Sequence, residues 1–186
     1  NKLVSADFGC GLGDKTAVLL DSYKKEFKKA YLIDFSSSAT KNVKKFFVDK
    51  KNIIVINNDA TLALKEIEDN SINVALMFGF LHEITDREKF LRALKYKLAK
   101  DFIILVSDNE LYYRSSELHK DFLDLGFKGN CFKRIFDIFN LKIFFSIKKN
   151  FKLKNIAIRF IKGRSDSFFA YYTSDNLEKF MQFSSF

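Results

Sequence analysis

Acids and glycines in the first third of the chain fall where a backbone would meet a ligand. Residues 4–14 read VSADFGCGLGD, an apolar run that ends in Asp7 and breaks into Gly9, Gly11 and Gly13. Glycines at alternate positions after a strand let the backbone turn sharply and come close to a bound molecule. Asp34 closes the next apolar run, YLIDFS, 21 residues after Gly13. An acid near that spacing in a nucleotide-binding βαβ unit accepts hydrogen bonds from ribose hydroxyls. Asp59 closes a third run in INNDAT, and a fourth ends FGFLHEITD, bringing Phe78, His82 and Glu83 together. Histidine is the side chain that changes charge near neutral pH. His82 therefore suits a general base or substrate ligand at such a mouth, or a cap on the following helix. Glu83 offers a carboxylate for the same work.

The glycine run discriminates between ligands. A dinucleotide turn needs G-x-G-x-x-G, and counted from Gly9 the last position falls on Asp14. A carboxylate there, at a helix N-terminus, repels the pyrophosphate that such a turn attracts. A phosphate loop is excluded because no Gly-Lys-Ser/Thr is present. The pattern that fits is D-x-G-x-G-x-G over Asp7, Gly9, Gly11 and Gly13.

This run resembles motif I of the class I S-adenosylmethionine-dependent methyltransferases, and the resemblance extends in correct order over residues 3–107. It implies that the glycines pass close to the methionine portion of the cofactor and that Asp7 favours its cationic amine. It further implies that Asp34 binds the ribose, that Phe35 packs on the adenine, and that Asp59 accepts from the adenine amine with the Ala60 N–H on a ring nitrogen. Phe78 is counted with these contacts. S-adenosylhomocysteine would be the product. FGFLHEITD is similar to the fourth-strand end of members acting on small molecules; the N/D-P-P-Y/F and Pro-Cys signatures of nucleobase methylation are missing from a chain without proline. Two departures stand out. KYKLAKD replaces the family's R-x-L-K-P-G-G turn, and closing antiparallel strands are not evident, which places them beyond Phe186.

The elements that must position these residues alternate. Strands are expected at 3–8, 30–33, 53–56, 72–80 and 102–106, and helices at 15–27, 37–48, 61–67 and 86–100. Continuous apolar strands alternating with amphipathic helices signify a doubly wound, mainly parallel α/β sheet covered on both faces. After Val106 the alternation stops. Residues 110–125 read as a helix, 131–161 lack clean periodicity, 168–172 form an aromatic strand or loop, and 174–181 a short helix. The expected organisation is a Rossmann-like cofactor core over 1–107. Residues 108–186 would then be a substrate-covering lid and the C-terminal part of the same domain.

At 186 residues, 47% hydrophobic and 30% charged, the chain is ordinary for one soluble globular domain. Its longest nearly uncharged apolar run, residues 72–81, is far short of the ~20 residues a bilayer span needs. No signal peptide is read, and because Asn1 is not an initiator methionine both ends are expected to be clipped. Two cysteines suggest a reduced, cytoplasmic setting, with Cys10 a small filler in the turn, and no His/Cys cluster has metal-ligand spacing. Charge is uneven: residues 128–164 hold eleven Lys/Arg against one acid, Asp137, while the rest of this +9 chain is close to neutral. That segment fits a small-molecule acceptor that is anionic or phosphorylated, such as a metabolite or glycan precursor methylated at oxygen; an RNA; an anionic membrane surface; or a solvated face. Tyr112, Tyr113 and Tyr171 are candidate substrate contacts, and His82 is the candidate base. The rival to catalysis is a partner subunit that binds S-adenosylmethionine or a nucleotide without chemistry.

Overall fold

The computed structural model describes residues 2–23, 25–108, 114–132 and 168–173. Five parallel strands form its centre: β1 (Leu3–Phe8), β2 (Phe27–Asp34), β3 (Ile53–Asn57), β4 (Ile72–Phe78) and β5 (Leu98–Asp108). With β6 (Lys128–Phe132) and β7 (Phe168–Thr173) they make one seven-stranded sheet, ordered β3-β2-β1-β4-β5-β7-β6. β7 runs antiparallel between β5 and β6.

Side chains alternate through the sheet into two cores. On one face, Ala6, Phe8, Ala75 and Met77 pack with α3 (Ala60–Ala63), α4 (Arg87–Lys97) and α5 (Ser115–Asp124). On the other, Leu32, Val74 and Leu76 pack with Leu19 and Leu20 of α1 (Asp14–Tyr23) and Val43 of α2 (Ser37–Phe46). Coverage on both faces is why β4 is apolar at every position but Asn73 rather than alternating. Local signals start the helices. The Ser36 hydroxyl accepts from the Ala39 N–H to open α2, and Asp86 accepts from the Lys89 N–H at 3.0 Å to open α4. α4 then buries Phe90, Leu91 and Leu94 on one face, each contributing about 1.5–3 kcal/mol of apolar burial.

Three boundaries depart from the sequence reading. α1 stops at Tyr23 and β2 begins at Phe27, because Phe27 pairs with Leu3 and is buried at 3% exposure. β5 begins at Leu98 rather than 102: Leu98 pairs with Ile72 across a register shift, so sheet pairing overrides the helical pattern of 86–100. Antiparallel strands, β6 and β7, lie within the chain and extend the sheet past β5. β6 escaped detection because GNC carries no strand-like apolar alternation, whereas Gly129 is required by contact: an added Cβ would lie 1.9 Å from the Tyr171 carbonyl oxygen. Of the residues assigned to a lid, those described join this sheet or α5, and most of the basic 128–164 stretch and the helix expected at 174–181 lie outside the described residues. No helix among the described residues is long and apolar enough to cross a membrane.

Candidate active site

All five parallel strands end on one edge of the sheet, and the strand order reverses between β1 and β4. Ligands of open α/β sheets lie beyond that edge at that switch point. The glycine turn leaves β1 there. Gly9 donates its N–H to the Ile33 carbonyl at 2.9 Å and packs so tightly that an added Cβ would lie 2.8 Å from Phe80 Cδ2. Phe80 thereby locks the turn after β1 to the turn after β4.

Gly11 and Gly13 divide the remaining work. At Gly13, with φ at +78°, an added Cβ would meet Phe47 Cε2 at 2.9 Å and Leu32 Cδ2 at 3.2 Å, so this glycine lets α1 close on the sheet. At Gly11, with φ at +53°, nothing lies within 4 Å of the same atom. That open side is where a ligand can touch backbone. Gly13→Ala is expected to cost roughly 2–4 kcal/mol of stability through overpacking and left-handed strain. Gly11→Ala should cost only about 1–2 kcal/mol yet weaken cofactor binding. Thermal melts paired with calorimetric titrations separate the two, and equal losses in both variants would refute this division.

Asp34 ends β2 and ties the turn down. Its Oδ2 accepts from the Gly11 N–H and its Oδ1 from the Ser36 N–H, both at 2.9 Å. Each carboxylate oxygen has a second lone pair, so Asp34 retains capacity for hydroxyl donors. Phe35 follows at 77% exposure, an apolar ring left at the rim. Its backbone is fixed by Asn57 Nδ2, which donates to the carbonyls of Asp34 and Phe35 at 3.0 and 2.9 Å.

Asp59 acts locally. Its Oδ1 accepts from the N–H groups of Thr61 and Leu62 at 2.9 and 3.1 Å, capping α3, with Ala60 buried as the first helical residue. Asp7 is turned inward, because β1 sends Ala6 and Phe8 to one face and Asp7 to the other, against α1. It is 2% exposed, and the Thr16 hydroxyl donates to its Oδ2 at 2.8 Å. Burial raises its pKa from 3.8 to about 7, opposed by the Thr16 hydrogen bond. Its carboxyl thus meets a hydroxyl of α1 rather than open space. Phe78 is half-buried against the α1/α2 core. Cys10 is buried, and burial pushes its thiol up, as suits an inert filler.

The turn after β4 holds the other half of the site. Gly79, with φ at +63°, donates its N–H to the Ser107 carbonyl of β5 at 2.7 Å. The 3-10 turn Leu81–Glu83 follows. His82 Nδ1 stands 2.7 Å from Asp108 Oδ1, and the His82 backbone N–H donates to Asp108 Oδ2 at 3.3 Å. His82 Nε2 stands 3.0 Å from Glu83 Oε1. The Asp108 side chain is 1% exposed, that of His82 19% and that of Glu83 64%. Asp108 escaped the sequence reading, although an acid ending the fifth apolar run, FIILVSD, was its signal. Thr16 escaped too, one turn into a helix where nothing marks it.

The structure therefore gathers Gly9, Gly11, Gly13, Asp34, Phe35, Phe78, His82 and Glu83 along one rim. Tyr171 does not join them: it is 2% exposed, pairs with Leu105 and packs in the core. Tyr112 and Tyr113 lie outside the described residues.

A parallel sheet with a glycine turn at its switch point defines a Rossmann-like ligand-binding domain. Residues 6–106, more than half of the chain, match the family described as "Methyltransferase domain", and the chain belongs to that family of enzymes. Solved structures share the fold at low identity. One is a SAM-dependent methyltransferase from Aquifex aeolicus, 16% identical with a TM-score of 0.67, over 92% of this chain and 81% of that one. Another is the plantazolicin methyltransferase BamL in complex with a desmethyl analogue and SAH, 13% identical with a TM-score of 0.66, over 92% and 77%. A third is a SAM-dependent methyltransferase from Archaeoglobus fulgidus, 16% identical with a TM-score of 0.62, over 94% and 87%. No curated protein matches the chain.

Proposed function

We propose that this methyltransferase uses S-adenosylmethionine, leaves S-adenosylhomocysteine, and methylates a small anionic acceptor at a hydroxyl oxygen. The observation that supports it is the single rim on which an open Gly11, a ribose-competent Asp34 and a partly exposed His82 stand together. The residues present fit the cofactor. Gly11 leaves room for its methionine chain, Asp34 keeps lone pairs for ribose hydroxyls, and Phe35 offers its ring to adenine. Asp59 retains a second carboxylate oxygen for the adenine amine. Bound there, the cofactor would supply an electrophilic methyl on a sulfonium.

Methyl transfer is an in-line displacement, so most of the protein's contribution is to hold two reactants aligned away from water. His82 Nε2 removes the proton of the acceptor hydroxyl as that oxygen takes the methyl group the cofactor would supply. The proton rests on the imidazole until solvent takes it. The anionic character of the acceptor is supported by the eleven cations of residues 128–164. The setting we propose is the reduced cytoplasm, in keeping with free Cys10 and Cys131.

Calorimetry tests the cofactor: S-adenosylmethionine and S-adenosylhomocysteine are expected to bind, and NAD is not. Binding of NAD alone would overturn the proposal. A panel of phosphorylated and neutral hydroxyl compounds, followed by S-adenosylhomocysteine release, tests the acceptor. Turnover confined to neutral compounds removes its anionic character, and turnover confined to RNA oligonucleotides, with steep salt dependence, replaces it.

A further inference from the structure

Among the described residues, a partly buried contact joins two residues 26 positions apart, Asp108 at the end of β5 and His82 after β4. Asp108 grips His82 twice, at the ring through Nδ1 and at the backbone through N–H, and almost none of its side chain is exposed. Its position is set by the sheet itself. β4 and β5 are in register up to Phe78 and Ser107, so the next β5 residue stands beside the turn that carries His82. Glu83 differs in kind: it meets Nε2 from a side chain that is mostly in solvent.

We infer that Asp108 is a positioning residue that fixes the tautomer of His82, with Nδ1 protonated and Nε2 bare toward the acceptor. This deepens the function proposed above and rests on it for its catalytic meaning. A buried carboxylate beside Nδ1 accepts only from a protonated nitrogen, so in the neutral ring the proton resides on Nδ1 and Nε2 keeps its lone pair. The same carboxylate stabilises the ring once Nε2 has taken a proton, and it holds the ring plane against rotation. The Nε2–Glu83 contact forms only when Nε2 also carries a proton. Glu83 therefore stands where the acceptor hydroxyl would meet Nε2, and as an exposed side chain it can leave that place without disturbing the fold.

The tautomer is read on the free protein, without cofactor or acceptor, and cofactor affinity is read separately. The sequence has two histidines, His82 and His119, so nitrogen-15 spectra of the imidazoles are assigned with a His119→Gln variant. At a pH where the ring is neutral, wild type is expected to show His82 protonated on Nδ1. Asp108→Asn should shift the signals toward the Nε2-protonated form while the affinity for S-adenosylmethionine by calorimetry stays within about twofold. Glu83→Gln should leave the tautomer unchanged. An Nε2-protonated ring in wild type overturns the assignment without any variant. So does an unchanged tautomer in Asp108→Asn. Loss of cofactor affinity in that variant overturns it as well, since Asp108 would then be holding the rim as a whole. Failure of the methyltransferase proposal reads differently: wild type would bind no S-adenosylmethionine, whatever its tautomer.

Discussion

His82→Ala is expected to lower turnover of a hydroxyl acceptor roughly 10²–10⁴-fold, the range of general base catalysis, while calorimetric affinity for S-adenosylmethionine changes by less than about twofold. The separation follows from where the side chain stands. Apart from Phe78 at the end of β4, the proposed cofactor contacts follow β1, β2 and β3, whereas the imidazole is held from β5. Removing it strips proton transfer from the site without unlocking the glycine turn, because Phe80 makes that lock. Turnover is read as S-adenosylhomocysteine release with an acceptor from the panel above. An unchanged rate would mean that the nucleophile needs no base, and a collapse of cofactor affinity would mean that His82 belongs to the cofactor cradle.

Asp7→Asn is expected to stabilise the protein above neutral pH. In the folded chain burial raises the Asp7 carboxyl from 3.8 to about 7. Between those values the folded state binds a proton that the unfolded state releases, so stability falls as pH rises through this window. The favourable contribution is fully present below about pH 4 and is lost as pH passes 7. Above that the fold holds a buried carboxylate, and the swing amounts to about 4 kcal/mol. Asparagine keeps an oxygen for the Thr16 hydroxyl, which now donates at 2.8 Å, and carries no charge. Melts at pH 5 and pH 8 should therefore show a variant that gains on wild type as pH rises. A variant less stable than wild type at pH 8 would show that the carboxylate is met by a cation in the folded chain. Calorimetry on the same variant asks the separate question raised by motif I. Weaker binding of S-adenosylmethionine would place Asp7 in reach of the cofactor amine, and unchanged binding would confine it to α1.

The glycine turn, the acids that end β1, β2 and β3, and the alternation of five strands with four helices were legible because each is written in contiguous residues. A strand buried on both faces must be apolar along its length, a tight approach needs glycine, and a cap needs its acid next to the helix it opens. Those constraints act over a few residues, so the pattern D-x-G-x-G-x-G and its companions named the methyltransferase family. For Asp59 they implied a ligand contact alone, and its cap on α3 at Thr61 and Leu62 came from the structure.

What no local pattern carried is what distant segments do to one another. Asp108 meets His82 only because β4 and β5 lie side by side in register. Asp7 finds Thr16 only because α1 folds back over β1. β6 exists as a strand because β7 offers it an edge, and Tyr171 leaves the candidate site because β7 inserts beside β5 and buries it. In each case the deciding term is a hydrogen bond or a burial made across the sheet, whose partner the chain supplies from far along its length. By itself the sequence determined the family and the glycine turn that follows β1. The tertiary structure decided which way Asp7 faces and which carboxylate holds His82.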